Sequence, residues 1–428
     1  MGWLFFDRTL RAVMGLVVSV WVARYLGVEL YGTLTWAFAF VSLFGALVTL
    51  GLDDVVIRDI VSDPSAKESI LGTTFGMKMA GGVFVLILSF SLALLLRPGD
   101  SLALGMVALY GAARLFQPWN TIDLWFQSQV QSKYTVWAKT VAYLLTNLVK
   151  VGAILLKAPA IIFASTMMLE SALTGIGLSR NYKSFGFRFR TWRFSLKRTV
   201  QLFSDSWPLM LSSIMVILYD KIDVLMLERM TSDAAVGIYM AAAKLIDTWA
   251  FIPVVITSSL FPSLIRSSQR DATEYKTRLQ YFYDANACVA YLLIALTVPV
   301  APLLIQVLYG AEFAASAPIF VIYAWSSIFA FMGAARGRQL INDGLLRFPL
   351  IATVLGVVVN VSCNLVLIPL YEGTGAAIAT IIAHVTASYL SSLILWPRHR
   401  IWAMQTRALF APLRYALRGL RWLAQGRG

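Results

Sequence analysis

Long apolar runs separated by short polar interruptions dominate this chain. Leu34–Leu52, Gly82–Leu96, Leu102–Ala113 and Ile351–Leu370 each approach or reach the ~20 residues that cross ~30 Å of hydrocarbon. The pattern predicts roughly twelve spans, at about 5–24, 34–52, 71–96, 102–125, 134–156, 159–179, 203–227, 236–260, 282–308, 316–336, 346–369 and 374–396. The stretch Ala12–Ala23 is followed directly by Arg-Tyr-Leu-Gly, without a small-residue cleavage site, so it reads as a retained first span. Asp53–Ser69 reads as a polar loop.

Composition agrees. The 428 residues are 59% hydrophobic and only 14% charged, against about 25% charged in a soluble domain. The expected fold class is therefore an all-α integral membrane protein. Lys and Arg fix its orientation by the positive-inside rule. With both termini in the cytoplasm, the outside loops hold only Arg24, Arg97, Lys157 and Arg229 of the 36 bases. Cys288 and Cys363 both fall inside apolar blocks, which excludes a disulfide framework.

The densest basic stretch, Arg180–Arg198, alternates bases with Phe187, Phe189, Trp192 and Phe194. Such interleaving can bind nucleic acid. Beside membrane spans it fits a connector on anionic inner-leaflet lipid better, at ~1 kcal/mol per base, so no nucleic-acid partner is expected. It also divides the chain. Residues 1–190 form one bundle of about six spans, 191–397 a second, and 398–428 a cytoplasmic tail. Two short outside turns, Ala-Arg-Tyr-Leu-Gly-Val-Glu-Leu-Tyr-Gly (23–32) and Arg-Met-Thr-Ser-Asp-Ala-Ala-Val-Gly-Ile-Tyr (229–239), suggest that the halves repeat. In the tail, Leu409, Leu413, Leu417 and Leu420 share one helical face, while Arg407, Arg414, Arg418 and Arg421 cluster on another. This is the pattern of an interfacial helix facing lipid phosphates.

Charges inside spans carry the functional information, because each costs ~2.5–3.5 kcal/mol or more unless it meets a cavity or a partner. Span 5 aligns Lys139, Tyr143, Thr146, Asn147 and Lys150 on one stripe, and span 4 aligns Tyr110, Arg114, Gln117 and Thr121. Arg114 lies ~18 Å from the outer end at 1.5 Å per residue. Lys78 sits in span 3. The only acid in these three spans is Asp123, so the bases are expected to be unpaired and to line a lumen that compensates an anion. Snorkelling to headgroups is the bland alternative for Lys139 and Lys150. In the other half, Asp220, Lys221, Asp223, Lys244 and Asp247 mix signs, as in a neutralised structural or ion-coupling network. Asp7 and Arg11 are spaced to pair. His384 stands alone in span 12. No P-loop, catalytic triad or metal-ligand cluster is recoverable, so neither an enzyme nor a cofactor is expected.

Several segments together resemble a known family. They are Ala-Arg-Tyr-Leu-Gly-x-x-x-Tyr-Gly (23–32), Leu-Gly-Leu…Arg-Asp-Ile (50–60), Trp207-Pro208, and Tyr-Asp-Lys-Ile-Asp-Val-Leu-Met-Leu (219–227). Val-Gly-Ile-Tyr-x-Ala-Ala-x-Lys (236–244), Leu-Phe-Pro (260–262) and Asn360…Asn364…Leu-Ile-Pro (367–369) follow, with Gly-Ala-Ala-Ile-Ala-Thr (375–380). In order and spacing the chain resembles the Wzx-type O-antigen flippases, the polysaccharide transporter branch of the multidrug/oligosaccharidyl-lipid/polysaccharide exporter superfamily. The resemblance implies two six-helix bundles around a lumen, in a bacterial inner membrane. It implies alternating access that carries undecaprenyl-diphosphate-linked oligosaccharide to the periplasmic leaflet, with polysaccharide polymerase and chain-length proteins as further partners. It suits Lys78, Arg114 and Lys139 to the lumen, and Arg24 matches the family's span 1 arginine by motif. A cation-coupled multidrug antiporter of the MATE branch and a lipid II-type flippase are the alternatives.

Overall fold

The computed structural model describes residues 2–268, 271–345, 347–395 and 400–424, with side chains from Arg11 to Arg418 apart from 258, 259, 262, 268 and 272. Asp7, Arg421 and Leu420 are thus outside the described side chains. Every regular element among the described residues is helical, and the chain is a multi-pass membrane protein. Eight stretches are long and apolar enough to span a bilayer. Two of them are double. α1 (Gly2–Leu43) turns at Gly27, whose φ of 74° and ψ of 175° only glycine adopts without strain. The long helix Phe348–Ser388 reverses at Glu372 (φ 48°). With two less apolar segments added, the set accommodates the roughly twelve crossings read from the sequence.

By its contacts the chain forms two compact units, Met1–Glu228 with Ser232–Gly237, and Arg229–Thr231 with Ile238–Gly428. The first unit therefore runs past residue 190 and takes in the helix that follows the basic connector.

In the first unit, α1 is followed by α2 (Gly45–Thr49), α3 (Leu52–Ser62), α4 (Lys67–Leu96), α5 (Ser101–Ala113), α6 (Asn120–Ser128), α7 (Lys133–Leu155), α8 (Ile161–Ser184) and α9 (Leu196–Met230). Span 2 does not continue to residue 52 as expected. Leu50 and Gly51 both take left-handed φ values and break the helix. Gly51 also lies so close to the α9 backbone at Ser206 and Met210 that a Cβ has no room. The polar loop expected at 53–69 is instead largely the helix α3. Leu52, Val55, Val56 and Ile60 fall on one face and are buried.

The basic connector is resolved by the same logic of faces. Phe187, Phe189 and Trp192 turn inward onto a core cluster containing Trp125 and Tyr182, with Phe187 4.5 Å from the Trp125 ring. Trp192 Nε1 donates to Tyr182 Oη at 3.0 Å. Arg188, Arg190 and Arg193 remain exposed. The small residues of α4 are used within the chain: Gly72 meets the Arg193 backbone, Gly81 meets Leu47 and Gly82 meets Arg114.

The second unit contains α10 (Asp233–Trp249, its first turn counted with the first unit), α11 (Phe251–Ser268), α12 (Ala272–Thr297), α13 (Ala301–Tyr309), α14 (Ser316–Ala324), α15 (Ser326–Asn342), α16 (Phe348–Ser388), α17 (Ile401–Leu409) and α18 (Ala411–Ala424). The single span expected at 282–308 is two helices. α12 starts earlier, where Asp271 caps it through the N–H groups of Thr273 and Glu274. It stops at Thr297, ahead of Pro299 and Pro302, which cannot donate to the ladder. The amphipathic tail is likewise two helices, α17 and α18, parted at Phe410.

Gly51 gives a test of this packing. Gly51→Ala combines left-handed strain with collision against α9 and is expected to cost on the order of 2 kcal/mol or more. Gly186, also at positive φ but with open space around it, should lose only ~1 kcal/mol on Gly186→Ala. Thermal midpoints of the detergent-solubilised variants check the order, and equal losses would refute the close approach.

Candidate functional site

Span 4 is not one helix. α5 ends at Ala113, residues Arg114–Trp119 form a 3-10 turn, and α6 resumes at Asn120. Pro118 explains the break, since it lacks the N–H that would bond the Arg114 carbonyl. Mid-helix 3-10 segments often mark functional sites, and this one carries Arg114 and Gln117.

Arg114 is 9% exposed. Its Nη2 donates to Ser42 Oγ at 3.3 Å, and its Nε has no acceptor among the described residues. No carboxylate among them lies within ion-pair distance. Gln117 Oε1 is likewise buried without a donor. The segment stands between two cavities of the first unit. One, of 790 Å³, is lined by Arg114, Ser42, Asp53, Asp54, Ser213 and Asp220, among others. The other, of 460 Å³, is lined by residues that include Arg11, Tyr110, Asn120, Lys139, Lys150 and Glu170. Phe38, Gln117 and Met167 border both. A buried guanidinium lacking a counter-ion beside open space has the chemistry to accept an anion.

The remaining expected lumen bases are not unpaired. Lys78 Nζ lies 2.6 Å from Asp53 Oδ1. The sequence reading missed this partner because Asp53 was assigned to a loop, whereas α3 carries it onto α4. Lys139 Nζ lies 2.6 Å from Asp123 Oδ2, which also accepts from Gln127. Lys150 lines the smaller cavity and has interaction partners of its own. Arg24 is exposed and lines neither cavity.

The mixed-sign group of the other half is divided. Asp220 and Lys221 pair at 2.8 Å on the larger cavity, and Asp223 is buried on the same helix. Lys244, half-buried, and Asp247, exposed, lie on α10 in the second unit.

Two further arginines were not read from the sequence as buried, partnered charges. Arg97, at the end of α4, meets Asp100 at 3.1 Å, Glu228 at 2.8 Å and Asp233, and its guanidinium covers the Trp36 ring at 4.0 Å. Burial opposes its charge, but the hydrogen bond to Asp233 and the charges of Glu228 and Asp233 outweigh this and raise its pKa.

The second is Arg336 in α15, 6% exposed. Its signal was present in the sequence, because Arg114-Leu-Phe-Gln117-Pro-Trp-Asn120 and Arg336-Gly-Arg-Gln339-Leu-Ile-Asn342 share one spacing. In the second unit this triad is met from within. Arg336 Nη1 donates to Ser391 at 2.7 Å and to Ser392 at 3.3 Å, although its Nε lacks an acceptor. Gln339 Oε1 accepts from Tyr283 at 2.7 Å, and Asn342 donates to Tyr275 at 3.1 Å. In the first unit, the corresponding Arg and Gln face cavities.

A family model described as polysaccharide biosynthesis protein matches residues 1–268. The chain belongs to that family. No curated protein matches it. Among solved structures it is similar to the lipid II flippase MurJ, at TM-score 0.74 and 14% identity, over 97% of this chain and 92% of that one. A multidrug resistance MATE family transporter of the MOP superfamily is similar at TM-score 0.74 and 15% identity, over 92% and 96%. So is a MOP superfamily transporter from Pyrococcus furiosus, at TM-score 0.65 and 15% identity, over 93% and 94%. At such identities these likenesses establish the shared fold of the polysaccharide biosynthesis family member described here.

The Lys78–Asp53 pair is asymmetric, with side chains 3% and 54% exposed. Asp53→Asn strands a buried ammonium and should cost on the order of 2–3 kcal/mol, whereas Lys78→Met leaves a carboxylate that water can solvate and should cost well under ~1 kcal/mol. Thermal midpoints of the two variants should fall in that order; the reverse order would remove the pairing argument.

Proposed function

We propose that this protein carries an undecaprenyl-diphosphate-linked oligosaccharide, such as an O-antigen unit, from the cytoplasmic to the periplasmic leaflet of a bacterial inner membrane by alternating access. Arg114 carries the proposal. It is a buried guanidinium without a carboxylate, on a cavity of 790 Å³, and its planar donor fork suits a phosphate oxygen pair. The family supports a role in polysaccharide biosynthesis. MurJ, similar in fold, is named for flipping lipid II, itself a lipid-linked saccharide.

The lumen is not uniformly cationic. Asp53, Asp54 and Asp220 also line the larger cavity. All three are exposed, Asp53 is held by Lys78 and Asp220 by Lys221. Solvated carboxylates at a rim need no ligand, whereas a buried cation does. That difference favours an anionic substrate over the cationic drugs of a multidrug antiporter. Diphosphate contact at Arg114, with both termini cytoplasmic, accounts for loading from the inner leaflet. Coupling to an ion through Asp220 or Asp223 is part of the same proposal.

Removing a charge-assisted hydrogen bond worth about 1.5–3 kcal/mol should slow transport roughly ten- to a hundredfold. Arg114→Gln, present at normal membrane levels, is therefore expected to accumulate lipid-linked oligosaccharide on the cytoplasmic leaflet and to deplete surface polysaccharide. Arg114→Lys should retain part of the activity. Unchanged export in Arg114→Gln would sink the assignment of Arg114. Normal glycan together with new drug sensitivity in a deletion strain would favour the antiporter.

A further inference from the structure

The tail of the second unit builds a pocket of its own. α17 and α18 lie on α12 around one buried carboxylate, Asp284, whose side chain is 3% exposed. Asp284 accepts from Gln280 Nε2 at 2.7 Å, Arg414 Nη2 at 2.8 Å and Tyr415 Oη at 3.0 Å. Arg414 also donates to the Arg407 carbonyl at 2.8 Å, closing the end of α17, and Gln280 donates to the Met404 carbonyl at 3.1 Å. Arg414, grouped with the outward bases on a simple helical wheel, is thus turned inward as a structural clasp.

Beside this clasp is a cavity of 340 Å³ bordered by Lys276, Arg400, Arg407 and Arg418. All four are exposed, and none is in an ion pair among the described residues. Asp284 is the single acid lining the cavity, and Arg414 already neutralises it. Arg414 Nε is buried without an acceptor. On the same tail Phe410, Leu413 and Leu417 are 59%, 58% and 47% exposed, an apolar surface beside the bases.

We propose that this pocket binds one membrane phospholipid whose headgroup carries two phosphates, with its acyl chains along Phe410, Leu413 and Leu417. Four uncompensated cations in one recess repel each other, and a ligand with a single phosphate leaves most of that repulsion in place. Basic pockets at a membrane face hold polyanionic headgroups for this reason, and guanidinium forks match paired phosphate oxygens. Free diphosphate offers the same headgroup chemistry, but the adjoining apolar surface selects the lipid. A recess also differs from a flat basic face in fixing the stoichiometry at one. The inference stands independently of the glycan substrate.

The test is native mass spectrometry with thermal unfolding of the full chain in neutral detergent. The probes are diphosphatidylglycerol, phosphatidylglycerol and inorganic diphosphate. One diphosphatidylglycerol should bind per chain, at least tenfold tighter than phosphatidylglycerol, and raise the thermal midpoint. Inorganic diphosphate should bind far more weakly. The triple variant Lys276→Gln/Arg407→Gln/Arg418→Gln should lose at least tenfold in affinity. The charge-matched control Arg188→Gln/Arg190→Gln/Arg193→Gln should match wild type. Equal losses in both triples would mean diffuse attraction and overturn the site, as would non-saturating binding. Inorganic diphosphate binding as tightly as the lipid would overturn the lipid as occupant.

Discussion

A charge withdrawn from water into an apolar bundle must find a counter-charge or open space, and this requirement organises the described structure. Isolated ions cost several kcal/mol to bury even after relaxation. Lys78 is buried because α3 delivers Asp53 to it. Lys139 reaches Asp123 across α6 and α7, and Arg97 draws on acids from the ends of α9 and α10. In the second unit Asp284 holds the tail against α12 by the same rule with the signs reversed. Helix positions and charge pairs are therefore one solution: α3 is amphipathic so that its apolar face can bury while Asp53, on its other side, stays beside Lys78.

Arg114 satisfies the rule by the remaining route. Two features keep it in place without a carboxylate. Pro118 converts its stretch of span 4 to a 3-10 turn, and Gly82 lets α4 approach the Arg114 backbone directly. The related triad at Arg336 shows what the same residue spacing becomes when the neighbourhood is filled. Ser391, Ser392, Tyr283 and Tyr275 supply the partners, and the site closes on itself. One spacing thus yields a structural knot in one unit and, in the other, an arginine and a glutamine that border cavities. The difference lies in what surrounds the triad, not in the triad.

Much of the fold was legible because hydrocarbon thickness imposes a length on apolar runs, and those runs survive as helices almost everywhere they were read. The breaks were harder. The reversals at Gly27 and Glu372 fall in the gaps read between spans, but the interruptions near Gly51, Arg114 and Val298 depend on left-handed backbone or on proline within otherwise apolar sequence. The connector was legible in composition and misread in geometry. Its aromatics were taken with its bases, yet Phe187 and Trp192 belong to the core of Trp125 and Tyr182. Site reading failed for a related reason. Acids were sought in the same spans as the bases, so Asp53, one element away, was invisible, and Lys78 was grouped with Arg114. Arg336 was passed over at the end of its span, although comparing it with Arg114 by spacing alone would have singled it out.

The two most instructive arginines of the first unit are opposites. Arg97 is surrounded by Asp100, Glu228 and Asp233, so its cluster is net negative. Arg114 has no acid within ion-pair distance, although Asp53, Asp54 and Asp220 line the cavity it borders. In a medium of low effective dielectric such differences act over many ångströms. Counting bases along the chain weighs these residues equally. Only their partners show that one is a structural tie and the other a buried charge without a counter-ion.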